Sequence, residues 1–318
     1  MLIKKILAFG LIVSVMGLSG CKATSGNETA NNENRVTFTD ALGREVSVEK
    51  NPERTAALIG SFADVWALSG GTLCAAPEDA WADFGLELPE AVNLGGAHSP
   101  GFETLLSSDP DFVIASASTA ANVDMKEQLE NAGITVAFFD VDDFGDYLEM
   151  LDICTDITGR KDLFEKNGLN VKNEIDSIKA EFANADIPED KRTVLLLRAS
   201  AGFIKAKDSE GTILGEMLSD LGCINIADSD KSLLEDLSVE SVIRNEPYRI
   251  FVVTMGDDTE KALSNLTRMM EENPAWGTLS AVKNDRLHVM EKKLFNIKPN
   301  AKWAQAYEKL SDILSEKE

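Results

Sequence analysis

The hydrophobic residues of the chain fall into short continuous runs that alternate with amphipathic stretches, and this alternation continues through both halves. Apolar runs of about four to eight residues are typical of strands buried on both faces, and the stretches between them are typical of helices. Buried parallel strands joined by helices form an α/β sheet. The predicted strands are Thr55–Ile59, Leu73–Ala76, Phe112–Ala115 and Thr135–Val141 in the first half, and Thr193–Arg198, Ile224–Ala227, Ile250–Thr254 and Leu287–Met290 in the second.

Two segments of the first half recur in the second half at nearly the same distance. The segment Arg54–Ser61 resembles Arg192–Ala199 at an offset of 138, because in each a basic residue opens an apolar run. The segment Glu103–Val113 resembles Glu240–Ile250 at an offset of 137. Two anchors with matching offsets indicate an internal duplication, so we predict two similar α/β lobes.

A single amphipathic stretch, from Lys161 to Asn184, separates the two halves. Its large apolar residues follow helical spacing on one face, and its charged residues fall on the opposite face. Its position midway between the repeats predicts one helix that joins the lobes; a surface helix within one lobe is the alternative. We therefore predict a first lobe over residues 35–158, a linker helix over 159–187 and a second lobe over 188–318. The apolar face consists of Phe164, Val171, Ile175, Ile178 and Phe182.

The first 21 residues have the pattern of an export signal. Lys4 and Lys5 precede an apolar run, Ile6–Leu18, which is shorter than the roughly 20 residues of a membrane-spanning helix. The motif LSGC, which ends at Cys21, resembles the bacterial lipobox, whose cysteine is lipidated; an ordinary signal peptide with a chance cysteine is the alternative. Residues 22–34 have no large apolar side chain and predict a flexible tether. We expect a protein anchored by lipid to the outer face of the bacterial cell membrane.

Acidic residues dominate the charge of the chain. Its 318 residues include 54 Asp and Glu against 31 Lys and Arg, which gives a formal net charge of −23. Such a surface repels phosphate backbones and anionic lipid headgroups, so nucleic-acid binding and polybasic membrane association are disfavoured. Two histidines leave little scope for a His-based metal site. Cys74, Cys154 and Cys223 fit either three buried apolar thiols or one disulfide with a free thiol.

The sequence lacks the motifs of common enzyme classes. It contains no GxSxG nucleophile elbow, no Walker loop, no HExxH zinc motif and no GxGxxG. The acidic segment Asp140–Gly145 resembles a calcium-binding loop, but Phe144 and Leu151 stand where oxygen ligands are required, so a strand-to-helix loop is predicted. We therefore predict a binding protein without catalytic residues, resident cofactor or metal ligands.

Four segments carry a resemblance to one family: Val36–Val46, Asn51–Arg54, Gly95–Ile114 and Pro299–Trp303. In order and separation they resemble parts of the lipid-anchored substrate-binding proteins of ABC importers: the opening hairpin, the lead into the first strand, the docking-glutamate stretch and the start of the C-terminal helix. The resemblance implies two Rossmann-like lobes with parallel sheets joined by one long helix. It also implies a ferric siderophore, haem or cobalamin as ligand, and a permease dimer with its ATPase as partner.

We expect the protein to be a monomer, and two other functions stay open. A sensor or adhesin would reuse the same fold without a transporter. A two-lobed extracytoplasmic enzyme would act on its ligand in the same cleft.

Ligands of open α/β sheets bind beside the carboxyl ends of the strands, which nominates the residues there. Arg198 interrupts an apolar strand where its counterpart in the duplication is Gly60, and a guanidinium binds carboxylates or phosphates; a structural ion pair is the alternative. Trp81 is either an aromatic wall of the site or a satellite core residue, and His98 either an axial haem ligand or a turn residue. The predicted ligand-binding residues are Ser61, Phe62, Trp81, His98, Ser116, Ser118, Thr119, Arg198, Ser200, Thr254, Met255 and Lys293.

Two glutamates occupy equivalent positions in the duplication. Glu103 and Glu240 each lie in the first turn of a predicted helix, after the predicted N-caps Gly101 and Ser238. The helix dipole stabilises a carboxylate there by about 0.3–1 kcal/mol, which is a sufficient structural reason for both. The family resemblance implies a second role, in which each glutamate docks into an arginine pocket on one of two permease subunits.

Overall fold

The first sheet follows an antiparallel hairpin of strands β1 (Arg35–Thr39) and β2 (Glu45–Glu49). Five parallel strands form this sheet in the order β5-β4-β3-β6-β7. They are β3 (Thr55–Ala57), β4 (Ala75–Ala76), β5 (Val92–Asn93), β6 (Phe112–Ser116) and β7 (Thr135–Phe139). The computed structural model describes residues 34–256 and 258–315, so the signal segment, Cys21 and nearly all of the tether lie outside the described residues and stay predictions.

Helices connect the strands of the first lobe. The longest begins at Asp143, whose carboxylate accepts a hydrogen bond from the Asp146 backbone nitrogen at 2.9 Å, and ends at Gly159 in the left-handed region with φ 69°. The acidic segment before it is therefore a strand-to-helix loop, as predicted. The helices are α1 (Gly60–Leu68), α2 (Asp79–Ala82), α3 (Phe102–Ser107), α4 (Ala120–Asp124), α5 (Lys126–Asn131) and α6 (Phe144–Thr158).

A helical segment from Lys161 to Ala183 leads from the first sheet to the second. It consists of α7 (Lys161–Phe164), a π-helical turn (Glu165–Leu169) and α8 (Asn170–Ala183). The apolar face that the sequence predicts is buried at Val171, Ile175 and Phe182. The π turn directs the Asn167 amide to the Leu68 carbonyl oxygen at 2.8 Å, which fastens the start of the segment to the first lobe.

The second sheet repeats the parallel arrangement of the first and adds an antiparallel strand. Its parallel strands have the order β10-β8-β11-β12, and β9 pairs antiparallel with β8. The strands are β8 (Thr193–Ala199), β9 (Ile204–Lys207), β10 (Ile224–Asn225), β11 (Arg249–Thr254) and β12 (Leu287–Met290).

Helices also cover the second sheet, and the last of them packs along α8. Just before that helix, the Asn300 amide donates to the Ser61 carbonyl oxygen at 2.9 Å and to the Asp64 carboxylate at 2.8 Å. The C-terminal segment therefore returns to the first lobe. The helices are α9 (Ile213–Asp220), α10 (Ile226–Ser229), α11 (Ser232–Glu235), α12 (Val239–Asn245), α13 (Thr259–Glu272), α14 (Ser280–Lys283), α15 (Lys292–Phe295) and α16 (Trp303–Ser315), with 3₁₀ turns at Glu189–Arg192, Pro274–Thr278 and Asn300–Lys302.

The structure confirms the prediction of an α/β fold with two lobes, and each predicted strand has a counterpart. The strand predicted over Ile224–Ala227 is too long, because the Asn225 side chain accepts from the Ala227 nitrogen at 3.2 Å and starts α10. Strands β5 and β9 were not predicted. The first is two residues long, and the second alternates apolar and lysine residues, which conceals it among amphipathic segments.

The three cysteines of the folded body are free thiols in the structure, which supports the apolar alternative over a disulfide. Cys154 is fully buried, and burial raises the pKa of the Cys223 thiol to about 12. Among residues 34–256 and 258–315, no helix combines the length and the apolar composition that crossing a membrane requires.

Candidate functional site

Contacts between the two lobes lie beside the carboxyl ends of their sheets, and we call the space along these ends the cleft. Helix α2 follows β4 in the first lobe, and α15 follows β12 in the second. The Lys292 ammonium forms an ion pair with the Asp83 carboxylate at 3.2 Å, and the Lys293 ammonium donates to the Ala82 carbonyl oxygen at 3.3 Å. Side chains that project from the carboxyl ends of these strands therefore lie where a ligand of an open α/β sheet binds.

Helix α1 begins shortly after β3 in the chain and contains two of the predicted binding residues. Ser61 is buried near its start, and its carbonyl oxygen accepts the hydrogen bond from Asn300. Phe62 is 1% exposed and packs edge-to-face on Phe139 with ring centroids 6.3 Å apart. Phe62 is therefore a core residue in this structure, and its prediction as a ligand contact is corrected: the first turn of α1 directs it under the sheet instead of toward the cleft.

The backbone at the start of α1 is paired with a carboxylate. The Gly60 nitrogen donates to Asp79 at 3.0 Å, and a Cβ at Gly60 would lie 2.7 Å from that carboxyl carbon, so only glycine fits. Burial raises the pKa of Asp79 against the effect of this hydrogen bond, and the nearby His98 lowers it slightly. The second carboxylate oxygen of Asp79 is buried and has no partner among the described residues, while His98 is exposed in its loop.

Trp81 fits both alternatives from the sequence, a satellite core residue and an aromatic wall of the site. It is partly buried and packs against the core of the first lobe. It also lines a shallow cavity of about 490 Å³ together with Glu78, Ala82 and Asn93. An indole in this position presents an apolar surface at the mouth of the cleft, two residues from the inter-lobe ion pair of Asp83.

The loop after β6 groups the other predicted residues of the first lobe. Ser116 is 2% exposed, and its hydroxyl lies 3.1 Å from that of Ser118. Its backbone nitrogen donates to the Asn122 side chain at 3.0 Å. Thr119 is the N-cap of α4 but its hydroxyl does not accept a capping hydrogen bond. Ser118 is exposed, so its hydroxyl and that of Thr119 are the groups of this loop best placed to reach a ligand.

Arg198 lies one residue before the end of β8 and is the main charged side chain of the second lobe's rim. Among the described residues it forms no ion pair, and its buried Nε atom has no hydrogen-bond partner. Burial alone accounts for the lowered pKa of this guanidinium, and no carboxylate of residues 34–256 or 258–315 contributes to it. The alternative of a structural ion pair is therefore wrong for the described chain.

The other predicted residues of this rim divide between two faces of the sheet. Arg198 pairs with Val253 in the register of β8 and β11, and Thr254 is one residue further, so Thr254 points to the opposite face. Thr254 is 2% exposed. This alternation separates Thr254 from the face that carries Arg198, and its role as a ligand contact stays a prediction. Met255 is 39% exposed beyond β11, and its nitrogen donates to the Ala199 carbonyl oxygen at 2.8 Å.

Ser200 has a structural role in the hairpin between β8 and β9. Its hydroxyl accepts from the backbone nitrogens of Gly202 and Phe203 at 3.2 and 3.1 Å, and so closes the turn. Sequence reasoning named Lys293 but missed the neighbouring ion pair of Lys292 with Asp83. Two lysines in succession carry no pattern that separates a ligand contact from an inter-lobe contact.

The two predicted docking glutamates lie at equivalent helix starts. Gly101 and Ser238 are the N-caps of α3 and α12, as predicted, and both glutamates are exposed. The Ser238 hydroxyl donates to Glu240 at 2.9 Å. Its own backbone N–H and then this hydroxyl lower the pKa of Glu240. Both carboxylates are thus available to a partner, which neither assigns nor removes the docking role.

Metal-ligating side chains do not converge in the described part of the chain. There, no group of three or more His, Cys, Asp or Glu residues could hold an ion. The predicted rim residues present a cation, hydroxyls and apolar surface instead.

Comparison with known proteins agrees with this geometry. The chain is 24% identical over 311 residues to YhfQ of Bacillus subtilis, named as an ABC transporter substrate-binding lipoprotein, and the alignment covers 93% of each chain. Staphylococcus aureus SirA complexed with staphyloferrin B has the same fold, with a TM-score of 0.65, 19% identity and coverage of 88% of this chain and 97% of SirA. S. aureus IsdE complexed with haem has a TM-score of 0.67, 15% identity and coverage of 83% and 99%.

The model of the periplasmic binding protein family matches residues 56–294. That range includes both sheets, apart from the first residue of β3, and the whole rim of the cleft. Its members bind solutes and are not enzymes, in agreement with the lack of catalytic motifs. The chain therefore belongs to the periplasmic binding protein family and is a substrate-binding protein of an ABC transporter.

Proposed function

We propose that this protein captures an anionic iron complex, a ferric siderophore or haem, outside the cell and delivers it to the permease of an ABC importer. The observation that supports this most directly is the Arg198 guanidinium, which stands at the carboxyl end of β8 without an acidic partner in the described chain. A chain with 54 acidic residues could have paired this arginine internally. An unpaired, half-buried arginine at the binding edge is what an anionic ligand requires.

An Arg198 guanidinium without a partner has an energetic cost. Partial desolvation weakens the hydration of the guanidinium, and no protein group compensates for that loss in the described structure. A carboxylate or catecholate of a bound chelate would supply the missing partner through charge-assisted hydrogen bonds, which are about twice as strong as neutral ones. Binding of an anion beside Arg198 would therefore be favourable in free energy.

The first lobe contributes uncharged side chains to the cleft, in contrast to the arginine of the second lobe. Trp81 provides an apolar surface beside the cleft, and Ser118 and Thr119 provide hydroxyls that can donate or accept. Large metal chelates combine charged oxygens with flat organic surfaces, which suits one cationic and one aromatic rim. His98 is exposed next to Asp79 and stays a prediction as an axial haem ligand.

Delivery requires contact with the transporter, and we assign it to Glu103 and Glu240. One exposed carboxylate per lobe, each at a helix start, suits a permease with two subunits. Neither residue lies among those that line the cleft, so ligand capture and docking can be separated by substitution.

The anchor is tested through Cys21, which lies outside the described residues. Replacement of Cys21 by Ser should release the protein into the medium, because a lipidated cysteine is the only anchor that this proposal provides. Cell fractionation and immunoblotting measure the distribution. If the variant stays in the membrane fraction, the lipoprotein assignment fails.

The most informative test of the ligand class is the protein purified from its native source. Visible absorption and mass spectrometry identify what it carries, since a ferric catecholate, a haem and a corrinoid have distinct spectra. A ferric siderophore or haem supports the proposal. A bound corrinoid would replace the iron complex as the ligand, and chemical turnover of the bound molecule would favour an enzyme.

A further inference from the structure

The second lobe contains a hairpin that the first lobe lacks. In both lobes a backbone nitrogen donates to an aspartate 19 residues later: Gly60 to Asp79 at 3.0 Å, and Ser209 to Asp228 at 2.8 Å. Gly60 and Ser209 are 149 positions apart, whereas the starts of β3 and β8 are 138 apart. The second lobe therefore holds 11 additional residues between these two landmarks, and strand β9 lies within them.

Strand β9 places a second cation opposite Arg198. In the antiparallel register Lys205 is the direct partner of Arg198, so the two side chains share one face of the sheet at its carboxyl edge. Like charges in directly opposed positions destabilise a strand pair. Neither residue forms an ion pair with any described residue, and the Lys205 ammonium instead lies 5.7 Å from the Phe203 ring centroid. Within the described part of the chain, this edge therefore holds two cations without an acidic partner.

Exposed apolar side chains flank the cation pair. Phe203 at the tip of the hairpin and Met255 beyond β11 are each 39% exposed, although large apolar residues are mostly buried in this chain. Backbone hydrogen bonds tie both to the same strand end, since Met255 donates to Ala199 and Ser200 donates to Phe203. The rim thus combines two positive charges with two apolar surfaces.

We infer that the inserted β8–β9 hairpin determines ligand specificity, with Lys205 and Arg198 together binding an oxyanion-bearing chelate. The inference rests on the proposed function and narrows its ligand to complexes that present carboxylate or catecholate oxygens. A ligand without net negative charge, such as a corrinoid, gains nothing from the two cations. Phe203 and Met255 contact the organic frame of the chelate beside those oxygens. The first lobe has no equivalent element, so the second lobe carries charge recognition.

The test compares two lysines of the same strand. Lys205→Gln removes the ammonium opposite Arg198, and Lys207→Gln removes the same charge two residues further from the carboxyl edge, opposite Leu196. The full-length protein and both variants are titrated by tryptophan fluorescence with ferric citrate, a ferric tris-catechol complex, haemin and cyanocobalamin. Ferric citrate and the tris-catechol complex distinguish carboxylate from catecholate oxygens.

The expected result is that Lys205→Gln weakens the binding of an anionic probe by about tenfold or more at low salt, with Lys207→Gln within about twofold of the wild type. Equal losses of affinity in both variants would indicate that only the net charge of the protein matters. Unchanged affinity in Lys205→Gln would indicate that Lys205 does not contribute to binding. Either result overturns the inference and leaves the proposed function intact. Binding of cyanocobalamin alone overturns both. Failure of the wild type to bind any probe overturns the inference for these oxyanion classes, while the native-source experiment decides the proposed function separately.

Discussion

The two rims of the cleft occupy equivalent positions in a duplicated fold and have opposite chemistry. Gly60 of the first lobe corresponds to Arg198 of the second at the duplication's offset of 138. At Gly60 the Asp79 carboxylate leaves no room for a side chain and occupies the backbone nitrogen. At Arg198 the side chain is present and lacks a protein partner in the described chain. The first rim pairs its backbone nitrogen with its own carboxylate, whereas the second rim holds a guanidinium without a partner among the described residues.

This difference shows which parts of a duplication are free to diverge. Both lobes keep the hydrogen bond from a backbone nitrogen to an aspartate 19 residues later, because it fixes the loop between a strand and a helix. They differ in the residues near the strand ends, where Gly60 packs against Asp79 and Arg198 has no partner among the described residues. The shared bond belongs to the fold, and we assign the unshared cations to the proposed ligand recognition.

The largest predicted effect concerns a feature that the lobes share. Glu103→Ala combined with Glu240→Ala should abolish uptake while ligand affinity and folding stay normal, because docking charges act on association with the permease. Uptake of radiolabelled iron complex in cells that lack the native copy measures this. The matched control is Glu127→Ala with Glu260→Ala, which removes one exposed first-turn glutamate from a helix in each lobe. Normal uptake by the Glu103 and Glu240 double variant would return both residues to a helix-capping role.

A second prediction separates the rims through ligand affinity. Arg198→Ala should weaken an anionic ligand by about 2 kcal/mol, roughly 30-fold in Kd, because a charged partner is lost from a partly desolvated site. Calorimetry with the native ligand measures the change, and Arg160→Ala, which removes an arginine with a 50% exposed side chain from the linker, is the control. Unchanged affinity in a folded Arg198→Ala variant would make the arginine structural and remove the contrast between the rims.

A third prediction addresses the contact between the rims. The Asp83 and Lys292 side chains are 24% and 22% exposed, so their ion pair is better shielded than a surface pair. A double-mutant cycle with Asp83→Asn and Lys292→Met should give a coupling of about 1 kcal/mol in the free energy of unfolding. The exposed pair of Lys172 and Asp176 within α8 should give about 0.3–0.5 kcal/mol. Equal couplings would show that the inter-lobe pair is no more than a solvated contact.

The smallest predicted effect concerns the Asp79 carboxyl group of the first rim. Because burial raises the pKa of Asp79, folding favours its protonated form, and the free energy of unfolding should decline as the pH rises above the usual aspartate pKa of about 3.9. Asp79→Asn should remove this decline, by less than about 1 kcal/mol since solvent screens a partly exposed group. Urea unfolding at pH 4 and pH 7 measures it. The same slope in both proteins would show that Asp79 does not titrate differently on folding.

Local patterns in the sequence were enough to predict the elements and their repetition. Continuous apolar runs predicted the parallel strands, helical spacing predicted the buried face at Val171, Ile175 and Phe182, and the duplication located Gly101 and Ser238 as N-caps. These features depend on interactions within a few residues or on a period that the chain displays directly. The cleft edge was predictable for the same reason, because ligands of open α/β sheets bind at the carboxyl ends of their strands.

The exposure of the predicted side chains, by contrast, depends on how distant segments fold together. Strand register turned Thr254 away from Arg198 and placed Lys205 beside it, and the first turn of α1 buried Phe62. The absence of an acid beside Arg198 in the described chain depends on where distant segments pack, as does the ion pair of Lys292 with Asp83. Pairing between charges far apart in sequence leaves no local pattern, so the recognition chemistry of this protein appears only in the folded arrangement.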